Sequence, residues 1–422
     1  PTGHISIDER AHMPSSNWGI EVSADGRVYA GGVNEAGHAI SVYKDGELES
    51  PLVPKAGTGD KSWNWGTSNH GVATFDDRFM YSVSSSGKVH KWERQPPYEK
   101  VRVMVDIGLP ADEAIVRFGK LYVLGYKTGE IQVRKLDENY TLLSRFQVPG
   151  AYDIAVESED SIWVSLGGAN EARQEVRRYD ASGRRLGGTL DGFGKLMGIS
   201  IGHDDRLLAC DDGPAKQVLF YDLADPANPK LVRRFGEPGG IYNDRRGVLD
   251  HPLQLFDVQD ADTDAAGNIY VLFSQSSWTK GTSGGNMIRA YSPEGQKLWE
   301  LSSQMWTGTA SVLPSTDGAE IYGVEEVFVL DDAAGPGDPD WKLHAISKDD
   351  VTNPEDFREI NAFHSRPFRG SAEIRELDGK RVIFRHGMYS DTIDGQKGYD
   401  LLVFEDRPSM ISHHRGTLTG NG

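Results

Sequence analysis

Short runs of alternating apolar and polar residues, each closed by a Gly-containing turn, recur along this chain, and a period of two is the mark of strands rather than helices. The first set reads as Gly19 to Ala24, Arg27 to Gly31 and Ala39 to Tyr43, with a turn at Asp45-Gly46 before the next strand. Its turn-plus-strand unit reappears most clearly at Gly26-Arg27-Val28-Tyr29, Gly119-Lys120-Leu121-Tyr122 and Gly267-Asn268-Ile269-Tyr270. Weaker copies centre on Tyr81, Trp163, Leu208, Tyr322 and Val382. The mean spacing from Tyr29 to Val382 is about 50 residues, the length of a four-stranded propeller blade.

The pattern predicts an all-β fold, a β-propeller of about eight four-stranded units, with seven blades as the alternative if one unit lies outside the ring. Third strands are expected at Ile131 to Arg134, Val176 to Tyr179, Val218 to Tyr221, Met287 to Tyr291 and Leu401 to Phe404. Several end in an aromatic residue and a turn, as in Tyr179-Asp180-Ala181-Ser182-Gly183 and Tyr291-Ser292-Pro293-Glu294-Gly295. These repeats resemble NHL and related propellers, most closely from Phe235-Gly236-Glu237-Pro238-Gly239-Gly240 to Val271. No linker-like segment divides the chain, so residues 1–422 are expected to form one domain. The last unit shows three strands, and Ile5 to Asp8 is the candidate for its fourth, pairing beside Leu401 to Phe404. Closing the ring through the chain ends in this way removes its open edge.

Composition narrows the function classes. The 422 residues carry 45 Lys+Arg against 63 Asp+Glu, a formal charge of −18, which surrounds the molecule with negative potential and argues against a nucleic-acid or anionic membrane partner. The 49 glycines suit many tight turns, and 9 Trp, 16 Tyr and 15 Phe suit strands. No apolar run reaches the roughly 18 residues that span a bilayer. The sequence opens at Pro1 without a charged and apolar leader, and a secreted or periplasmic protein whose signal peptide has been removed is expected. A single cysteine, Cys210, excludes an intramolecular disulfide. A monomer is expected.

In a propeller the innermost strands all begin at one rim of the central channel, so the residues opening each first strand converge there. That alignment brings together Trp18, Asn69, His70, Glu113, Tyr152, Asp260 and Arg369; loops between second and third strands add Asp211, Asp212, Arg385, His386 and Tyr389. Aromatic rings beside hydrogen-bonding groups suit a sugar, and arginine in so acidic a chain suits a ligand carboxylate. Against this stand plainer readings. His70 and His386 could be packed or bonded rim residues, Tyr152 a core aromatic, and Arg369 and Arg385 salt-bridge partners. The run Asp260-Ala261-Asp262-Thr263-Asp264 opens like a calcium loop, but its glycine falls at Gly267 and no Glu closes it, so a strand and polar turn is the better reading. Phosphate-loop, zinc-ligand and nucleophile-elbow patterns do not occur.

The segments Trp65 to Gly71, Ala151 to Asp153 and Arg385 to Tyr389 resemble the rim segments of propeller-fold carbohydrate-active enzymes, the ulvan lyases and the rhamnose–glucuronate lyases and rhamnosidases that trim gum arabic. The resemblance implies a secreted lyase that breaks a bond to O4 of a uronic acid by β-elimination, with a uronic-acid oligo- or polysaccharide as partner. In that scheme His70 is the base and Tyr152 the acid or second base. Arg369 or Arg385 clamps the carboxylate, with Trp18, Asn69, His386 and Tyr389 around the sugar. No cofactor is required, although a structural or carboxylate-neutralising calcium fits the scheme. Three alternatives stay open: a non-catalytic NHL-like module binding a peptide, protein or glycan, a glycoside hydrolase on the same scaffold, and a calcium-dependent lactonase using Glu113, Asp211 and Asp260.

Overall fold

The computed structural model describes residues 16–33, 40–49, 71–84, 87–95, 100–125, 128–167, 174–240, 251–274, 286–303, 311–312, 320–322, 326–330, 341–346, 371–377, 380–393, 396–405 and 409–417. Among them every regular element is a strand, and the strands form eight four-stranded antiparallel sheets. All eight sequence centres, from Tyr29 to Val382, fall on the second strand of a sheet. The expected third strands are likewise third strands.

The turns explain why the chain reverses where it does. Asp45 and Gly46 both take positive φ (51° and 85°), the backbone of a tight hairpin whose twist matches its strands. In the Tyr179 to Gly183 turn, Asp180 Oδ1 accepts the Ser182 and Arg184 amides at 2.9 and 3.0 Å, and Gly183 supplies a φ of 88°.

The contacts divide the chain into two compact units, where the sequence suggested one domain over 1–422. The larger comprises Ile7–Gly240 and Leu255–Ser303, and the smaller comprises Pro1–Ser6, Ile241–Gln254 and Gln304–Gly422. Six sheets, over residues 16–48, 71–106, 111–147, 151–190, 196–235 and 258–303, belong to the larger unit. Their inner strands are Ser16–Val22, Gly71–Phe75, Ala111–Arg117, Ala151–Ser158, Leu196–Ile201 and Val258–Thr263. Each packs beside the next, and the sixth packs beside the first. A closed cycle of four-stranded sheets around their first strands is a six-bladed β-propeller.

The expectation of eight blades, or seven, is therefore corrected to six. The repeat counts sheets correctly, but the inner strand of the sixth sheet already reaches the first and closes the ring. The other two sheets, over residues 311–346 and 371–417, make up the smaller unit. Ring closure through the chain ends is corrected as well. Leu401 to Phe404 lies in Gln396–Glu405, which is paired on one side with Lys380–Ile393 and on the other with Ser409–Thr417, so no edge is left for an N-terminal strand. Ile5 to Asp8 lies outside the described residues.

The core of the propeller lies between blades. Ala155 and Trp163 of blade 4 pack with Leu196, Ile199, Leu207 and Leu219 of blade 5, and Val22, Val28 and Tyr43 of blade 1 pack with Tyr270, Leu272 and Ile288 of blade 6. The second strand Ser161–Leu166 is consequently buried on both faces, whereas the outer strand Leu142–Gln147 exposes every second side chain or more.

Candidate functional site

The channel is built from alternate residues of the inner strands, and its polar groups also tie the blades together. Asp153 of blade 4 accepts the amide of its own neighbour Ile154 at 2.8 Å and that of Ile199 in blade 5 at 2.9 Å. Asp260 of blade 6 does the same for Ala261 at 2.8 Å and Ile20 of blade 1 at 2.9 Å. Two residues on, Asp262 accepts Thr263 and Val22, each at 2.7 Å. Between blades 2 and 3, the Thr74 hydroxyl accepts Val116 N–H at 2.8 Å, and between blades 5 and 6 the Ser200 hydroxyl donates to the Ala261 carbonyl at 2.5 Å. Amides that face a neighbouring blade have no sheet partner on that side, so an acceptor from the next inner strand satisfies them.

The cavity so enclosed measures about 440 Å³. Glu21, Asp76, Asp77, Glu113, Asp153, Asp260 and Asp262 line it, with Arg117 as the guanidinium among them. Burial pushes the Glu21 carboxyl up to about 8, against hydrogen bonds from Thr74 and the Phe75 amide. Burial likewise raises Asp262 to about 7, with amides of Val22 and Thr263 opposing it. Gly19 leaves room for two of these groups: a β-carbon there would lie 2.9 Å from Asp260 Oδ2 and 3.6 Å from Glu113 Oε2. At one mouth, formed by turns joining first to second strands, Phe118 is 45% exposed with a φ of 53°. His203, on the turn after Leu196–Ile201, places Nε2 3.2 Å from the Val22 carbonyl.

At the opposite rim, where the inner strands begin, a second polar cluster joins blades 5 and 6. Asp212 is buried and holds Lys195 Nζ at 2.7 Å, Lys216 Nζ at 2.9 Å and the Val258 amide at 3.0 Å. Burial opposes its ionisation, but the two ammonium groups outweigh burial and keep it below its ordinary value. Lys195 is half-buried, and Asp212 and Asp257 together hold its ammonium above its ordinary value against the desolvation it does suffer. Lys216 and Asp257, 3.9 Å apart, both take positive φ (51° and 38°), a strained backbone for residues with side chains.

Of the residues that the sequence singled out, Tyr152 is at this rim, the second residue of Ala151–Ser158, with its hydroxyl buried and within electrostatic reach of Lys195. Trp18 lies on the inner strand of blade 1. Arg385, His386 and Tyr389 lie on Lys380–Ile393 in the smaller unit, Arg385 opposite Ala372 and Leu402, His386 opposite Ser371 and Leu401. Asn69, His70 and Arg369 lie outside the described residues.

The lactonase triad does not assemble. Glu113 and Asp260 flank Gly19, but Asp211 Oδ1 accepts the amides of Gly194, Lys195 and Gly213 at 3.0, 2.9 and 3.0 Å and so shapes the turn before blade 5. Among the described residues no group of three or more His, Cys, Asp or Glu is placed to hold a metal ion. The calcium-like run forms a strand and turn, Asp264 accepting the Ala266 and Asn268 amides at 2.9 Å.

Sequence reasoning missed Glu21, Asp262, Arg117, Lys195 and Lys216. A signal existed for Asp262: it follows Asp260 by two positions, so both acids share one face of a strand. Nothing local marks Lys195 and Lys216 as partners of one carboxylate.

No protein-family model matches the sequence, and no curated protein matches it. Among solved structures it is similar to the RRP9 WD40 repeats, with 11% identity over 64% of this chain and 92% of that one and a TM-score of 0.42. It is also similar to virginiamycin B lyase from Staphylococcus aureus, with 12% identity over 81% and 98% and a TM-score of 0.41. A Bacteroides caccae protein of unknown function gives 14% identity, 67% and 92% coverage and a TM-score of 0.39. At such scores the likeness carries no argument about activity, and the propeller assignment stands on the closed ring of sheets.

Proposed function

We propose that this propeller is a binding module whose channel receives a cationic group, such as a Lys or Arg side chain presented by a peptide or protein. The observation that carries this reading is the charge of the cavity: seven carboxyl groups line it against one guanidinium, and five of them, Asp76, Asp77, Glu113, Asp153 and Asp260, stand outside the Glu21 and Asp262 pair whose carboxyls burial raises. A low-dielectric cleft lined by one sign of charge concentrates ligands of the other sign, and the −18 of the chain acts in the same direction. Exposed Phe118 at the mouth adds a ring face on which a cation or an apolar side chain packs.

Titration calorimetry with a lysine-bearing peptide and its acetylated counterpart tests the reading. Binding is expected for the first, weakening with salt and with Glu113→Gln, and not for the second. Equal binding of both peptides, or binding insensitive to salt, overturns it.

A second reading, elimination at a uronic-acid glycan by a secreted, monomeric lyase, is favoured by one observation. Tyr152 lies within electrostatic reach of the Lys195 ammonium at the rim where the inner strands begin, a phenol and cation of the kind that proton abstraction next to a carboxylate uses. Lys195 would then take the part foreseen for Arg369 or Arg385, His70 would remain the base, and calcium would serve only as a further carboxylate partner. The buried Tyr152 hydroxyl and the Asp212 ion pair place this reading second. Release of an unsaturated uronate from a glucuronate-bearing glycan, abolished by Tyr152→Phe, decides for it.

A further inference from the structure

The ring is closed without strand exchange, since blade 1 is built from consecutive strands like every other blade. Its closure between blades 6 and 1 rests on packing and on carboxylates that accept amides across the gap, Asp260 to Ile20 and Asp262 to Val22. Glu21, between those two amides in sequence, reaches the other way, to the Thr74 hydroxyl and the Phe75 amide of blade 2. Its second oxygen, Oε2, is shut off from solvent without a hydrogen-bond partner. An ionised oxygen in that setting loses its hydration with no donor in exchange, at a much larger cost than a neutral carboxyl bears there.

We infer that Glu21 and Asp262 form a proton-operated latch at the closing seam of the propeller, shut while the pair holds protons and loosened when both carboxyls ionise. Glu21 faces Asp262 of blade 6 and Arg117 of blade 3, besides its two partners in blade 2. Asp262 faces Arg117 and, from its own blade, Asp264, besides the amides it accepts. Asp260, Glu113 and Asp153 line the same cavity, as do Asp76 and Asp77 of blade 2, and His203 of blade 5 meets the Val22 carbonyl. Arg117 is the cation facing the pair, and it is anchored on the Val156 carbonyl of blade 4 at 3.0 Å. Two ionised carboxylates then share one guanidinium that is fixed elsewhere.

Both carboxyls lie above their ordinary values, to about 8 and about 7. The stabilisation tied to their protons is therefore full in mild acid, below the ordinary carboxyl range, and is lost as pH rises through those two values. The latch weakens on the alkaline side, the reverse of a surface salt bridge.

Amide hydrogen exchange on the intact protein, corrected for the intrinsic effect of pH, tests this. Ile199 is the internal standard, because its amide is held by Asp153 in the same geometry between blades 4 and 5. Between about pH 6 and about pH 9, protection at Ile20 and Val22 is expected to fall by about tenfold or more relative to Ile199. Combined Glu21→Gln and Asp262→Asn should remove that relative fall. Parallel behaviour of Val22 and Ile199 in the unaltered protein overturns the latch whether or not the variant folds, and so does persistence of the fall in a folded variant.

Discussion

Asp260 and Ile20, 240 positions apart in the chain, are joined by a 2.9 Å hydrogen bond from the Ile20 amide to the Asp260 carboxylate, and this bond helps close the ring. The same carboxylate accepts its neighbour Ala261 at 2.8 Å, so one side chain serves two buried amides. Asp260→Ala strands both. Leaving a buried donor unsatisfied costs about 1–3 kcal/mol, so a loss of at least about 2 kcal/mol is expected in urea unfolding of the variant. Asp260→Asn, which retains one acceptor oxygen, should fall between the two.

Gly19 is required for a different reason. A methyl group there would meet the Asp260 carboxylate at 2.9 Å, and that carboxylate is held by two amides and cannot swing aside. Gly19→Ala is expected to cost about 1–3 kcal/mol, seen as a lower thermal midpoint. A midpoint equal to that of the unaltered protein would show that the channel wall adapts.

Asp212 is buried and binds two half-buried lysines. Asp212→Asn removes the charged partner of Lys195 at 2.7 Å and of Lys216 at 2.9 Å; because both ammonium groups keep some solvent contact, a loss of about 1.5–3 kcal/mol is expected. Removing Lys195 as well, by Lys195→Met, should recover part of that loss; a denaturant series over the two single variants and the double variant measures the coupling.

Phe118 and Gly119 form a hairpin turn with φ of 53° and 67°, a backbone that favours Asn-Gly. Phe118→Asn is expected to stabilise the propeller by about 0.5–1 kcal/mol, because the left-handed conformation is strained for an aromatic residue. If Phe118 serves ligand binding at the channel mouth, the same variant binds the lysine-bearing peptide more weakly. A stability gain with a binding loss is the expected pair of results from denaturation and calorimetry.

Cys210 is buried in the second strand of blade 5, and burial among acidic neighbours holds its thiol well above the ordinary value. A disulfide reagent at neutral pH should label it only as fast as the blade opens, so labelling should track denaturant unfolding. Rapid labelling of the native protein would contradict the described packing of blade 5.

The sequence by itself determined the strands. Alternation acts over two residues and turn chemistry over four, so Tyr29, Trp163 and Tyr270 could be assigned to equivalent strands of repeating sheets without any knowledge of the whole. Only the tertiary structure decided how many of those sheets share a ring. Blade number depends on how neighbouring sheets pack and on which inner strand meets the first. That meeting is between residues such as Asp262 and Val22, which no local pattern pairs. The roles of the charged residues follow the same division. Asp260 to Asp264 is legible in the sequence as a strand and polar turn, but the amides across the gap that make its carboxylates ring closures come from blade 1. Lys195 and Lys216 are unremarkable as residues in a row; folding brings both onto one buried carboxylate, and burial is what turns their charge into structure.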